Sequence, residues 1–165
     1  EASPSPRVLH VGLAWWSRFF RARNYRGFKV GAAFLVDVPD SRLMRILVGA
    51  NRMSGPGAPD KRCAEIAILD ELEDTSRHMV NTIVTIGIPQ GDDVSGLYSP
   101  TLHPCHICRT RFGSHAAVTS ETVVLCVHAW FPWRWEIMTV GELSELHRDE
   151  QVMRRHECPV EAHET

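Results

Sequence analysis

Four residues of this chain combine types and spacings that point to chemistry: Cys63, Glu65, Cys105 and Cys108. Cys105 and Cys108 form a Cys-x-x-Cys pair, the spacing at which two thiolates grip one zinc ion, and Cys63 supplies a third sulfur from a separate segment. Three protein ligands leave one tetrahedral position open, and a water held there loses a proton far more readily than bulk water does. Glu65 lies two positions after Cys63 and is not required as a ligand. Its carboxylate is therefore the natural group to accept that proton and deliver it elsewhere. The competing reading is a closed structural site, in which His103 or His106 is the fourth ligand and Glu65 is a solvated acid.

The elements that must position these residues follow from the hydrophobic pattern. Val8, Leu9, Leu13, Trp15, Trp16, Phe19 and Phe20 approach the spacing of one helical face, predicting a first amphipathic helix to about Ala22. Residues 28–38 and 43–50 are β-rich runs separated by turn formers, which is a hairpin signal. Residues 52–61 carry two glycines and two prolines and read as a loop delivering the chain to Cys63. Ala64, Ile66, Ala67, Ile68, Leu69 and Leu72 then predict a buried helix, with Cys63 in its first turn. Further strands are expected at residues 80–88, 121–128 and 135–138, with a helix opening at residues 104–108 and another over 139–147. The order α-β-β-α-β-α-β-β-α predicts a mixed sheet with helices on both faces. Cysteines thus fall at two helix starts, where unpaired N–H groups stabilise thiolates.

Composition bounds the remaining classes. The chain has 165 residues, 44% of them hydrophobic, which is enough for one domain with a real core and too few for two. A single domain is expected over 1–165, with its core at about 8–148 and a polar tail at 149–165. The formal net charge is -2, so no basic field advertises nucleic acid or an anionic membrane, and no apolar run is long enough to span a bilayer. The five cysteines are an odd number, which favours reduced thiols, some of them on a metal, over a disulfide framework. The chain opens at Glu1 rather than Met; a cytoplasmic protein is the expectation.

Four motifs, in order, resemble the cytidine deaminase family, with the blasticidin S deaminases as near relatives: Phe28-Lys29-Val30-Gly31-Ala32-Ala33, Gly49-Ala50-Asn51, Cys63-Ala64-Glu65 and Pro104-Cys105-His106-Ile107-Cys108-Arg109. The two cysteine motifs match the zinc deaminase signature of ligand-x-Glu followed by Pro-Cys-x-x-Cys. The resemblance spans roughly residues 10–147. It implies a three-layer α/β/α fold with a mixed five-stranded sheet, and a hydrolase acting on a cyclic amidine. The cofactor implied is Zn²⁺, held by Cys63, Cys105 and Cys108, with Glu65 as the proton carrier. The substrate implied is a cytosine-bearing nucleoside or nucleoside analogue, such as cytidine, deoxycytidine or a blasticidin S-like compound, which exchanges its 4-amino group for a carbonyl. A homo-oligomer, tetramer or dimer, is also implied. By the same resemblance Phe28 lines the nucleoside pocket, Ala64 contacts substrate, Asn51 bonds a sugar hydroxyl and Arg109 offsets thiolate charge from behind the ligands.

The sequence departs from the family at Asn51-Arg52-Met53, where cytidine deaminases read Asn-x-Glu, and at Ile66, where they often carry arginine. Two other functions compete with the nucleoside reading. One is a deaminase of single-stranded DNA or RNA, contacted by the aromatic hairpin and Arg18, Arg21, Arg23 and Arg26; the charge balance argues against it. The other is a zinc-structured binding module without turnover. Trp130, Phe131, Trp133 and Trp135 fit hairpin packing or a subunit interface better than base stacking. Cys126, among Val124, Leu125 and Val127, reads as an inert core thiol.

Overall fold

A computed structural model of the chain describes residues 6–24, 29–39, 44–53, 62–73, 78–88 and 101–146. Phe28, Arg26, Cys158, the tail at 149–165 and most of the 52–61 segment lie outside the described residues. The elements are α1 (Pro6–Phe20), β1 (Arg23–Asn24), β2 (Gly31–Asp37), β3 (Met44–Ala50), β4 (Arg52–Met53), α2 (Ala64–Glu73), β5 (Met79–Gly87), α3 (His106–Ser114), β6 (Val123–His128), β7 (Trp135–Thr139) and α4 (Val140–Leu146). Five strands form one mixed sheet in the order β3-β2-β5-β6-β7. The β2–β3 hairpin runs in register from Gly31 opposite Ala50 to Asp37 opposite Met44, β2 is antiparallel to β5, β5 is parallel to β6, and β7 returns antiparallel. The parallel step needs a crossover, and α3 lies within it.

Period-two alternation sends the two faces of the sheet to different helices. Phe34, Ile83, Val124 and Cys126 meet Ala64, Ile68 and Leu69 of α2, Cys108 and Phe112 of α3 and Leu143 of α4 in one core. Ala33, Val84, Ile86 and Val127 meet Ala14 of α1 in the other. The result is a three-layer α/β/α arrangement with the five-stranded mixed sheet in the middle. Two glycines set how closely the outer layers approach. A Cβ on Gly31 would run into the carbonyl of Ala14, and one on Gly49 into the carbonyl of Ala64. Helix α1 is thereby pinned to one face at β2 and the start of α2 to the other at β3, where the Ser17 hydroxyl also donates to the Gly49 carbonyl at 2.7 Å.

This close contact corrects the expected face of α1. The residues turned to the sheet are Ala14, Ser17 and Arg18, while Trp15, Trp16 and Phe19 are exposed. Ala14 and Ser17 fit where the helix backbone nearly touches β2, Arg18 reaches along the strand to donate from Nε to the Lys29 carbonyl at 3.0 Å, and the bulky aromatic side chains face away. A second difference is the parallel pairing of β1 with β4 inside a stretch expected to be loop. Arg52 also exchanges two backbone hydrogen bonds with Arg62, at 2.9 and 3.0 Å, closing the base of that segment and setting Cys63 beside the end of β3. The expected aromatic turn is present and has an anchor the sequence did not announce. Nδ1 of buried His128 accepts the N–H groups of Trp130 and Phe131, both at 3.1 Å.

Candidate active site

Cys63 and Cys105 do not stand in the first turns of their helices, as the pattern of α2 had implied for Cys63, but one position earlier. The Cys63 carbonyl accepts the Ala67 N–H at 3.1 Å and the Cys105 carbonyl accepts the Arg109 N–H at 2.9 Å, which makes each the residue that caps its helix. Cys105 has the extended backbone of such a position and no side-chain cap hydrogen bond, so its sulfur is directed elsewhere. Cys108 lies in the first turn of α3 and is fully buried. Two helix N-termini, with their partial positive charge, thus converge behind three sulfurs.

The Sγ atoms of Cys63, Cys105 and Cys108 all lie within 4.8 Å of one another, with Cys63–Cys105 at 3.6 Å and Cys105–Cys108 at 3.5 Å. Zn–S bonds of about 2.3 Å in a tetrahedron would place sulfurs about 3.8 Å apart, so little movement separates this cluster from a zinc-bound one. Its electrostatics point the same way. Hydrogen bonds from Cys108 and then Cys63 pull the Cys105 thiol down to about 2, while the contact with Cys105 pushes Cys63 up to about 12 and Cys108 upward as well. Three sulfurs this close suit one divalent cation, which all three can ligate as thiolates, so the donor set fits zinc.

Glu65, in the first turn of α2, is 3% exposed. Burial pushes its carboxyl up to about 7, with the charge on Cys105 adding to the effect and its own backbone N–H, Cys108 and Thr85 opposing it. Thr85, on β5, offers its hydroxyl to Oε1 at 3.5 Å. Cys126 pairs with Thr85 across the parallel ladder and is fully buried, its thiol pushed up by burial. Ala64 is fully buried at the start of α2, beneath Gly49. Asn51, at the end of β3, is also buried. Its Oδ1 accepts the Val30 N–H at 2.8 Å and its own N–H donates to the Val30 carbonyl at 3.1 Å, so it locks the entry to β2. Arg109 donates from Nη1 to the Pro104 carbonyl at 2.9 Å, tying the first turn of α3 to the segment before Cys105.

The structure therefore brings Cys63, Ala64, Glu65, Cys105, Cys108 and Arg109 to the facing starts of α2 and α3, with Asn51 one strand end away. His103 and His106 do not belong to the sulfur cluster: His103 Nε2 lies 3.1 Å from Oε2 of Glu136 and His106 is exposed. Sequence reasoning passed over Thr85 and Glu136. Replacing Arg109 with alanine removes the tie to Pro104, the residue before the Cys105 ligand candidate. Zinc affinity, measured by competition with a chelator, should fall about tenfold, within the range of changes just outside a ligand set. Parent-level affinity would make Arg109 a surface charge.

No protein-family model matches the sequence, and no curated protein matches it. Solved structures do. A cytidine deaminase from Burkholderia pseudomallei superposes with a TM-score of 0.62 at 19% identity, over 82% of this chain and 94% of that one. A cytidine deaminase from Mycobacterium leprae gives 0.56 at 20% identity over 85% and 98%, and one from Mycobacterium tuberculosis gives 0.56 at 23% identity over 85% and 94%. The likeness is one of fold: this chain has the architecture of a cytidine deaminase.

Proposed function

We propose that this protein is a zinc-dependent hydrolase that deaminates a cytosine-bearing nucleoside or nucleoside analogue, giving the uracil form and ammonia. The observation that carries this reading is the buried carboxylate of Glu65 beside three convergent sulfurs at two helix starts, within an architecture shared with cytidine deaminases. Cys63, Cys105 and Cys108 would hold the metal, and zinc when bound would supply Lewis acidity and an easily ionised water. Glu65 takes one proton from the attacking water and passes it to ring N3, then takes the second from the hydroxyl newly added at C4 and hands it to the departing amine; one carboxylate serves each transfer because they occur in sequence on one side of the ring. Thr85 steadies that carboxylate from β5. Burial of Ala64 and Glu65 keeps bulk water from the reacting face. Asn51, its carboxamide oriented by the bond from Val30, contacts a sugar hydroxyl; Phe28 lines the pocket; and Arg109 eases the charge of the thiolates.

Turnover of cytidine, deoxycytidine, cytosine, cytidylate and blasticidin S, followed by the ultraviolet change on loss of the amino group, tests the reading. A free nucleoside or analogue should be the best substrate, with rates insensitive to added salt. Preference for single-stranded DNA or RNA with steep salt dependence would instead place the substrate among polynucleotides. We place the catalytic unit in one domain, with its core at about 8–148, working in the cytoplasm where thiols stay reduced. No helix among the described residues is long and apolar enough to cross a membrane.

The same protein is proposed to be a homo-oligomer. Helix α1 covers β2, β3 and β5, while Trp135 and Ile137 of β7 lie on that face of the sheet beyond it and are exposed. With Trp15, Trp16, Phe19, Trp130, Phe131 and Trp133 they leave roughly 700–900 Å² of side-chain surface in water, aromatic residues counting about 150–250 Å² each. Exposed aromatic side chains in such number are what a subunit interface covers. A second copy is the occupant we assign. Trp133, 70% exposed, is the most accessible aromatic side chain of the group. Changing Trp133 and Trp135 together to serine should shift sedimentation toward the monomer, and a parent already monomeric at micromolar concentration would exclude the assignment.

A further inference from the structure

The cluster that lies next to the sulfurs without joining them is Thr101, His103 and Glu136. Residues 101–105, which deliver Cys105, are neither helix nor strand. A cysteine ligand in such a segment is only as well placed as the contacts that hold the segment down. Three are visible. Leu102 packs on Gly87 at the end of β5, so closely that a Cβ on that glycine would meet its Cδ2. The Pro104 carbonyl accepts from Arg109. The third is Glu136, in the middle of the edge strand β7. It pairs with Cys126, which pairs with Thr85, so register puts all three on the face of the sheet that carries Glu65. Oε2 of Glu136 accepts the hydroxyl of Thr101 and stands 3.1 Å from Nε2 of His103. Thr101 is 1% exposed, so its hydroxyl depends on protein partners rather than water.

We propose that Glu136 is a positioning residue: through Thr101 and His103 it clamps the segment leading to Cys105 onto β7, and so sets Cys105 and Cys108 at the distance from Cys63 that one metal ion requires. The inference rests on the zinc-site reading above. Its chemistry is that of an outer partner, which orients ligands without touching the ion, and an acid serves well because one carboxylate oxygen can accept from two donors at once. With Nε2–H donated to the carboxylate, His103 is held as a strut of the loop and turned away from the role of fourth ligand.

Metal affinity tests this separately from turnover. Parent, Glu136→Ala, Glu136→Gln and Thr101→Val are stripped of metal and titrated with cobalt(II), followed by thiolate-to-metal absorbance, and zinc affinity is then taken from competition. Glu136→Ala should bind about 10 to 100 times more weakly. Glu136→Gln, whose amide oxygen still accepts a hydrogen bond, should recover part of the loss, and Thr101→Val should lose affinity in the same direction. Parent-level affinity in Glu136→Ala overturns the proposal. If that variant does not fold, parent-level affinity in Thr101→Val overturns it. A parent that binds metal but deaminates nothing would count against the deaminase reading alone, leaving the clamp to be judged by these affinities.

Discussion

Glu65→Gln should retain zinc at the parent's affinity and lose at least about 10² to 10⁴ of its turnover, the range general acid–base groups supply. That is about 2.7 to 5.5 kcal/mol in the barrier. The substitution preserves shape, and its amide oxygen can still accept from the Thr85 hydroxyl. It also removes a charge from a site that is almost wholly buried, so folding should not suffer. What it cannot do is carry a proton. Metal content and kcat measured on the same preparation separate the two roles. Activity near the parent's would mean that another group moves the protons.

The second large effect is expected at Cys105. Its sulfur is the middle one, within hydrogen-bonding reach of both Cys63 and Cys108, and it caps α3. Serine keeps the cap position and nearly the volume, but its hydroxyl does not ionise near neutral pH and is a poor partner for zinc. Cys105→Ser should lose zinc affinity by more than the 10 to 100 times that outer partners cost, and activity should vanish with the metal. The fold should persist, because Cys105 is exposed and belongs to neither core. Elemental analysis after dialysis, beside far-ultraviolet circular dichroism, checks both halves. Full zinc content in the serine variant would remove Cys105 from the ligand set.

Some of this was legible in the sequence because residue type and spacing do not depend on tertiary context. Cys63, Glu65, Cys105 and Cys108 declare themselves by chemistry, and the glycine-bearing hairpin of β2 and β3 by its turn formers. The order of the longer elements followed from periodicity. What stayed hidden depended on register and contact. In the run Trp135-Glu136-Ile137 a hydrophobic pattern turns the large residues inward and the acid to water. The sheet does the reverse, because α1 stops short of β7 and Glu136 meets Thr101 and His103 on the opposite face. Thr85 is one of three polar residues in β5, with Asn81 and Thr82, and only its pairing neighbours reveal that it faces Glu65. The apolar face that the pattern gives α1 includes Trp15, Trp16 and Phe19, because their hydrophobicity is visible in the sequence and the close approach at Gly31 is not. The pairing of Arg23–Asn24 with Arg52–Met53 is too short for any period to register.

We propose that the three sulfurs and Glu65 together make a hydrolytic deaminase. Ammonia release tests it most directly: zinc-loaded parent and zinc-loaded Glu65→Gln are incubated with cytidine, deoxycytidine and blasticidin S, and ammonia and the uracil-form product are counted together. Both proteins should hold one bound zinc per chain, and the parent alone should release one ammonia for each uracil ring formed. A parent that carries one zinc per chain and releases no ammonia from any of the three would contradict it.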